Sequence, residues 1–192
     1  VDGRLVPGDV EVRDGRVHRF GIRRGNGRSG IASPGFVDLQ VNGFGGVDFA
    51  NADAAAYDRA GEALLETGVT SYLPTLITAP EEALVSALRE VPPTARGPRI
   101  LGVHVEGPFL AAARMGTHLL EGRRDPDPEL LERLLDAGPV RLVTLAPELP
   151  GALELIDILL ARGVAVSCGH TDATAEEAEI AFDRGALAVT HL

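Results

Sequence analysis

The sequence predicts an α/β fold built around a parallel sheet. Apolar, strand-like runs recur six times after residue 34, and the segments between them carry helical patterns of apolar residues. Strands that alternate with helices pair in parallel, because parallel strands need long crossovers and both sheet faces must be covered. Residues 1–33 lack this rhythm, so we treat them as one domain and residues 34–192 as a second.

The N-terminal domain begins with a predicted β-hairpin. Polar and apolar residues alternate over residues 9–13 and again over 16–20, on either side of the turn dipeptide Asp14-Gly15. This pattern is typical of two antiparallel strands with one solvated face. The glycine-rich residues 25–30 are interpreted as a loop or linker.

The second domain alternates six strands with helices. Its predicted strands cover residues 35–41, 70–77, 100–106, 141–146, 164–169 and 186–191. Its predicted helices cover residues 53–66, 78–89, 151–162 and 174–184, and one more follows Asp127-Pro128, an N-cap with a first-turn proline. Thr78 with Glu81 and Thr174 with Glu177 match the capping-box pattern at two of the helix starts.

Polar residues follow the predicted strands and favour a barrel over a doubly wound sheet. They are Gln40, Asn42, Glu106, Glu148, His170, Asp172 and His191. A closed (β/α)8 barrel brings the carboxyl ends of all strands to one mouth, whereas an open sheet would separate some of them. Six strands are fewer than this barrel contains. We therefore predict a partial (β/α)8 TIM-type barrel of about six βα units, with two more units expected beyond Leu192.

Composition narrows the class of partner. The net charge of −10 argues against a nucleic-acid or anionic-membrane surface, although local arginines or helix N-termini can still hold a small phosphate. No run of 18 apolar residues is present, so no membrane span is predicted. The single cysteine, Cys168, excludes an internal disulfide and fits a cytoplasmic location.

Three of the strand-end residues form a candidate metal site. Glu106, His170 and His191 each close a different apolar run, and together they offer one carboxylate and two imidazoles. This set suits Zn²⁺ with one coordination position left for water, although Fe²⁺, Co²⁺ or Mn²⁺ can use the same ligands. A salt-bridged glutamate and two hydrogen-bonded core histidines are the structural alternative. The recurrence at equivalent strand ends favours the metal.

Other polar residues have weaker assignments. His104 shares a strand face with Glu106, and we interpret it as a packing residue. His118 lies on a predicted loop, where it is either a substrate contact or a solvated side chain. Gln40 and Asn42 share a strand face and are weak ligands for a transition metal. Cys168 is interpreted as a small buried hydrophobe.

Several motifs together resemble the N-acetylglucosamine-6-phosphate deacetylase family of the amidohydrolase superfamily. The first strand reads PGFVDLQVNG (residues 34–43), with Gln-x-Asn where most of the superfamily carries His-x-His. The other matching motifs are HVEGPF (104–109), GTH (116–118), LAPE (145–148), GHTDA (169–173) and THL (190–192). The resemblance covers the chain from residue 34 onward. The N-terminal hairpin resembles part of the small β-sandwich domain of that family.

The resemblance implies roles for individual residues. Glu106, His170 and His191 would bind one catalytic metal ion, Thr117 and His118 would contact the substrate, and Gln40 and Asn42 would occupy the vacated second-metal position. The implied reaction is hydrolysis of the N-acetyl group of N-acetylglucosamine 6-phosphate to glucosamine 6-phosphate and acetate. The resemblance also implies a cytoplasmic enzyme that is a homodimer at full length.

The family's general-base aspartate has no match in the chain and is expected beyond Leu192. Asp172 follows a metal-histidine motif but does not match the base. We therefore expect no catalytic base within these residues and negligible deacetylase activity from the 192-residue chain alone. Two alternatives stay open at this point. One is an amidohydrolase acting on a cyclic amide or another acetylated sugar, and the other is a non-catalytic metal-binding fragment.

Overall fold

The structure is a computed structural model that describes residues 4–22 and 30–191. The chain divides into two compact units, Val1–Pro34 and Gly35–Leu192.

The first unit contains the hairpin that the alternation predicted. Strands β1 (Asp9–Arg13) and β2 (Arg16–Ile22) pair antiparallel, with Arg13 opposite Arg16. The two turn residues, Asp14 and Gly15, have φ values of 50° and 70°. Positive φ at both central positions defines the type I′ turn that suits two-residue hairpin loops. Most of the predicted linker, residues 25–30, lies outside the described residues, and the assignment to a β-sandwich domain stays a prediction.

The second unit contains nine strands. They are β3 (Phe36–Val41), β4 (Gly43–Phe44), β5 (Val47–Asp48), β6 (Val69–Ile77), β7 (Arg99–Ile100), β8 (Val103–Glu106), β9 (Val140–Leu145), β10 (Ala165–Cys168) and β11 (Ala188–Val189) within the described residues. Strands β4 and β5 form a small antiparallel pair, and the other seven form one parallel sheet.

The order of strands in the large sheet identifies a barrel. The spatial order is β3, β6, β8, β9, β10 and β11, which is also the order along the chain, while β7 pairs beside β6. A doubly wound sheet would reverse its order at a switch point, and this sheet does not. The second unit is therefore a curled parallel half-barrel, as the sequence predicted.

Five α-helices connect these strands. They are α1 (Ala54–Leu65), α2 (Glu81–Glu90), α3 (Pro128–Ala137), α4 (Ala152–Ala161) and α5 (Ala175–Arg184). The carboxylates of Asp53 and Asp127 accept hydrogen bonds from free N–H groups at the starts of α1 and α3, as N-caps do. Leucines on α3 and α4 pack against the sheet and form much of the core. No helix among residues 4–22 and 30–191 is long and apolar enough to cross a membrane.

The two predicted capping boxes have opposite outcomes. At α5, the Thr174 hydroxyl accepts from the Glu177 N–H, and the Glu177 carboxylate accepts from the Thr174 N–H. At α2, the predicted box is wrong, because the helix starts at Glu81 after Pro80 and has no side-chain cap. The Thr78 hydroxyl is instead buried and donates to the Glu106 carbonyl. A tertiary contact there replaces the local one.

Removing the capping box at α5 is expected to destabilise the chain modestly. Thr174→Ala deletes the hydroxyl that accepts from the Glu177 N–H. We expect a loss of about 1 kcal/mol in the free energy of unfolding, measured by urea denaturation. Thr94→Ala, at an exposed loop position whose side chain makes no hydrogen bond among the described residues, is the control and should change it by less. Equal effects from the two substitutions would contradict this account of the helix start.

Two predicted strands differ from the observed ones. Predicted strand 100–106 is divided into β7 and β8 at Gly102, whose φ of +137° brings its backbone against Pro139 and Arg141. Predicted strand 186–191 shortens to β11, and at its carboxyl end the left-handed conformation of His191, with φ of 61°, interrupts the extended backbone. Both departures are set by backbone geometry rather than by hydrophobic pattern.

Candidate metal centre

Glu106, His170 and His191 meet at the carboxyl ends of three strands. The Glu106 Oε1 atom lies 3.0 Å from His170 Nε2 and 3.1 Å from His191 Nε2. The potential ligand atoms of the three residues lie within 4.8 Å of one another. Glu106 is 2% exposed, His170 is half-buried and His191 is exposed, so the cluster opens toward one side.

Both histidines have unusual backbone conformations. His170 and His191 have φ values of 50° and 61°, in the left-handed region that residues other than glycine rarely adopt. Each histidine lies two residues beyond the end of its strand, β10 or β11, and its ring faces Glu106. Such conformations carry a cost and are concentrated at functional sites.

The hydrogen bonds of His170 determine which of its nitrogens faces Glu106. His170 Nδ1 lies 2.8 Å from the Arg114 carbonyl oxygen. A carbonyl only accepts, so Nδ1 carries a proton, and in a neutral ring Nε2 presents a lone pair. That lone pair points at the Glu106 carboxylate. Two acceptors at this distance repel each other unless a proton or a cation lies between them.

Glu106 is also contacted on its second oxygen. Gln40 Nε2 donates to Oε2 at 3.0 Å, and His118 Nε2 lies 3.7 Å from the same atom. Burial alone would raise the pKa of Glu106, but the nearby His118 side chain and the neighbouring imidazoles outweigh burial and lower the pKa to about 2. The carboxylate is therefore anionic near neutral pH.

The remaining predicted site residues divide into two groups. Gln40 and His118 contact the cluster, and the His118 ring packs edge-on against His170 with centroids 4.3 Å apart. Thr117 is exposed on the same loop as His118. Asn42 is exposed just after β3, and no hydrogen bond joins its side chain to the cluster within the described part of the chain. Its backbone carbonyl accepts from Phe49 N–H.

Glu148 and Asp172 stabilise the turn after β10. Glu148 accepts hydrogen bonds from the Thr171 hydroxyl and from the Asp172 N–H. Asp172 pairs with the Arg114 guanidinium at 2.6 Å, so the loop that supplies the carbonyl for His170 is also held by a side chain. Both carboxylates are therefore engaged in fixing the His170 turn.

A buried polar layer lies beneath the cluster. Thr144 Oγ1 lies 2.8 Å from His104 Nε2 and 2.9 Å from Thr190 Oγ1, and Ser167 Oγ lies 2.7 Å from the same Thr190 atom. Burial lowers the pKa of His104 to about 4, so its ring is neutral. The layer satisfies buried polar groups and links His104 to the residue before His191.

Sequence reasoning missed two parts of this site. The Arg114 carbonyl that orients His170 is a backbone atom, so no residue type signals it. Thr78 was interpreted as a helix cap, yet it contacts both His118 and the Glu106 carbonyl. Its position directly after a strand, like that of the other site residues, was the available signal.

Comparison with known proteins identifies the family of this chain. The family model described as amidohydrolase family matches residues 31–192. The chain belongs to the amidohydrolase family. Among curated members, it is 37% identical over 210 residues to the N-acetylglucosamine-6-phosphate deacetylase of Homo sapiens, covering 99% of this chain and 51% of that protein. It is 40% identical over 163 residues to the deacetylase of Haemophilus influenzae, covering 82% and 42%.

Solved structures of this amidohydrolase group share the fold. A mutant N-acetyl-D-glucosamine-6-phosphate deacetylase from Mycobacterium smegmatis in complex with N-acetyl-D-glucosamine-6-phosphate superposes with a TM-score of 0.77 at 41% identity, over 83% of this chain and 42% of that one. The Thermotoga maritima enzyme gives 0.80 at 31% identity, over 95% and 49%. The chain spans about half the length of the curated relatives it matches.

Proposed function

We propose that these residues form the metal-binding half of an N-acetylglucosamine-6-phosphate deacetylase active site. The observation that carries the proposal is the meeting of Glu106, His170 and His191 in an amidohydrolase half-barrel. The relatives named for this activity, at 31–40% identity, support the substrate. Hydrolysis would release acetate and leave the free amine of glucosamine 6-phosphate.

The donor set fits a divalent cation, with Zn²⁺ as the best match. One anionic carboxylate and two imidazole nitrogens leave room for further coordination. The His170 lone pair that faces Glu106 needs a positive charge between them, and the Arg114 carbonyl fixes the ring as an outer partner of a metal ligand does. A bound divalent ion would supply Lewis-acid polarisation of a carbonyl and lower the pKa of water.

The neighbouring residues would bind and orient the substrate. His118 is held beside Glu106 and can present a ring N–H to the amide carbonyl. Thr117 precedes it on the same loop and is exposed to an incoming sugar. Gln40 places its amide group against Glu106 Oε2, where it holds the carboxylate in position. In this proposal Gln40 and Asn42 occupy the region where a second metal would need stronger ligands.

The general base is proposed to come from sequence equivalent to the half of the relatives that this chain does not span. Amide hydrolysis needs a group that takes a proton from water and returns it to the leaving amine. Among the described residues near the cluster, Glu148 and Asp172 are engaged in hydrogen bonds and an ion pair. Glu106 contacts both His170 and His191 and is itself a proposed metal ligand. The proposal therefore includes negligible turnover by the 192-residue chain alone.

Acetate release from N-acetylglucosamine 6-phosphate tests this function. We expect zinc-dependent release by a protein of the relatives' full length that contains this sequence, and none above background by the 192-residue chain. N-acetylglucosamine without the phosphate, and a cyclic amide, serve as comparison substrates. Preference for either of these would replace the proposed substrate. Family-level turnover by the 192-residue chain would contradict the assignment of the base.

The remaining implications of the resemblance are proposals of the same kind. We propose a homodimer for a protein of the relatives' full length and a cytoplasmic location. The charge of −10 supports a small-molecule substrate over a nucleic-acid partner.

A further inference from the structure

Thr190 is the residue directly before His191, and it is fixed to two neighbouring strands. Its backbone N–H donates to the Cys168 carbonyl at 2.9 Å, which continues the pairing of β10 with β11. Its hydroxyl lies 2.9 Å from Thr144 Oγ1 on β9 and 2.7 Å from Ser167 Oγ on β10. The position of Thr190 is therefore set by its backbone and its side chain together.

Both hydroxyl contacts of Thr190 are compatible with its single hydrogen. A hydroxyl donates one hydrogen bond and can also accept, so Thr190 can donate to one neighbour and accept from the other. Thr144 can do the same between Thr190 and His104 Nε2, whichever ring nitrogen of His104 carries the proton. Thr190, Thr144 and Ser167 are all buried, so water does not replace a lost partner.

The side chain of Thr190 also packs against the residue before His170. A Cβ added to Gly169 would lie 2.7 Å from Thr190 Cβ, so the Gly169 backbone is already in close contact with this side chain. Gly169 precedes His170 as Thr190 precedes His191. The two imidazole rings meet edge-on, with centroids 5.0 Å apart. Thr190 therefore connects the two turns that bring these rings together.

The two histidines differ in how their own rings are held. The Arg114 carbonyl holds His170 Nδ1, whereas Glu106 is the only hydrogen-bonding partner of the His191 ring within residues 4–22 and 30–191. The His191 side chain is also 59% exposed. Its position thus depends on the backbone that carries it, and the adjacent Thr190 is the residue that anchors this backbone in the barrel interior.

We propose that Thr190 is a positioning residue that sets the spacing of the His170 and His191 rings for one metal ion. Ligand atoms must be held within about 0.5 Å of their productive geometry. Thr190 acts on the ion only through the two histidines, and this consequence rests on the proposed function. The spacing of the rings in the metal-free chain is a property of the chain itself.

Two substitutions of Thr190 test its hydroxyl through zinc binding to the 192-residue chain. Thr190→Val keeps the shape of the side chain and removes the hydroxyl, and Thr190→Ser restores it. We expect Thr190→Val to weaken zinc binding about ten- to a hundredfold in calorimetry, the range seen for groups that orient metal ligands. Thr190→Ser should recover most of this loss. Wild-type affinity in Thr190→Val, or no recovery in Thr190→Ser, would overturn the positioning role.

Thr75→Val separates positioning from a general loss of stability. Thr75 is 2% exposed on β6, a strand that carries none of the three candidate ligands. Its hydroxyl contacts Leu73, Val41 and His104. Both valine variants should lower the urea midpoint, because each leaves buried polar groups without a partner, but Thr75→Val should keep wild-type zinc affinity. Equal losses of zinc affinity would assign the effect to stability and overturn the role of Thr190.

Ser167→Ala decides the matter if Thr190→Val does not fold. This substitution removes one of the two hydroxyl partners and leaves Thr190 itself unchanged. Zinc binding should weaken severalfold, because the Thr190 side chain is then held from one side only. Wild-type zinc affinity in Ser167→Ala would count against the proposal.

Crystal structures of the metal-free chain give a readout that needs no zinc. We expect the separation of the His170 and His191 centroids in Thr190→Val to differ from 5.0 Å by more than about 0.5 Å, and Thr190→Ser to match the wild type. An unchanged separation in Thr190→Val would overturn the positioning role.

The two readouts separate the two claims. If the wild type binds no zinc at Glu106, His170 and His191 while the ring separation changes as expected, the proposed function fails and the positioning by Thr190 stands. If the wild type binds zinc there while Thr190→Val leaves the affinity and the separation unchanged, the proposed function stands and the role of Thr190 fails.

Discussion

Replacing Glu106 with glutamine is expected to abolish tight binding of a divalent metal ion. Glutamine keeps the size of the side chain but removes the only anion in the cluster, because His170 and His191 are neutral ligands. The wild-type carboxylate has a pKa of about 2 and is charged at neutral pH. We expect zinc affinity to fall more than about a hundredfold, as measured by calorimetry and by elemental analysis after dialysis.

A matched glutamate on the outer surface controls for the general loss of one negative charge. Glu129→Gln, on α3, changes a side chain that is 91% exposed. Its described ion-pair partner is Arg133, which is not part of the cluster. It should keep one zinc ion per chain. Retention of one tightly bound ion by Glu106→Gln would show that the metal is held elsewhere, and the proposed centre would be wrong.

Gly107→Ala is expected to destabilise the chain strongly and to disturb the same centre. Gly107 follows Glu106 with a φ of +90°, and an added Cβ would lie 2.2 Å from the Thr78 hydroxyl oxygen. Left-handed strain and overpacking together should lower the free energy of unfolding by about 2–5 kcal/mol. Urea denaturation measures this loss. Zinc affinity should fall as well, because Thr78 and Glu106 cannot keep their positions.

Gly163→Ala separates the two causes of that loss. Gly163 also has a positive φ, +69°, but an added Cβ would meet no atom within 4 Å. It should therefore cost only the backbone strain, about 1–2 kcal/mol, and leave zinc binding unchanged. If the two alanine variants lose equal stability and both bind zinc normally, the close contact between Gly107 and Thr78 does not exist in solution.

The sequence was sufficient for the architecture and for the three candidate ligands. Glu106, His170 and His191 are 64 and 21 residues apart along the chain. They could still be grouped, because consecutive parallel strands place their carboxyl ends at the same edge of the sheet. Hydrophobic pattern and strand order are repeated features, so errors at single boundaries do not change the fold. The loss of two residues at either end of the last predicted strand illustrates this tolerance.

The contacts that orient these ligands could not be predicted in the same way. Thr78 fits the local capping pattern, but burial beside Glu106 gave its hydroxyl stronger partners than the start of α2 offered. The Arg114 group that contacts His170 is a backbone carbonyl. Every residue type has this group, so the sequence gives no sign of its role. The left-handed conformations of His170 and His191 depend on neighbouring loops that only the folded chain brings together. Each of these features is tertiary in origin.

We propose that the residues at three strand ends, Glu106, His170 and His191, form one divalent-metal centre. Anomalous diffraction at the zinc absorption edge, from crystals of the chain grown with zinc, tests this claim most directly. We predict one strong peak within bonding distance of Glu106 Oε1, His170 Nε2 and His191 Nε2, the atoms that already lie near one another. A zinc peak away from these atoms, or none at saturating zinc, would contradict the claim.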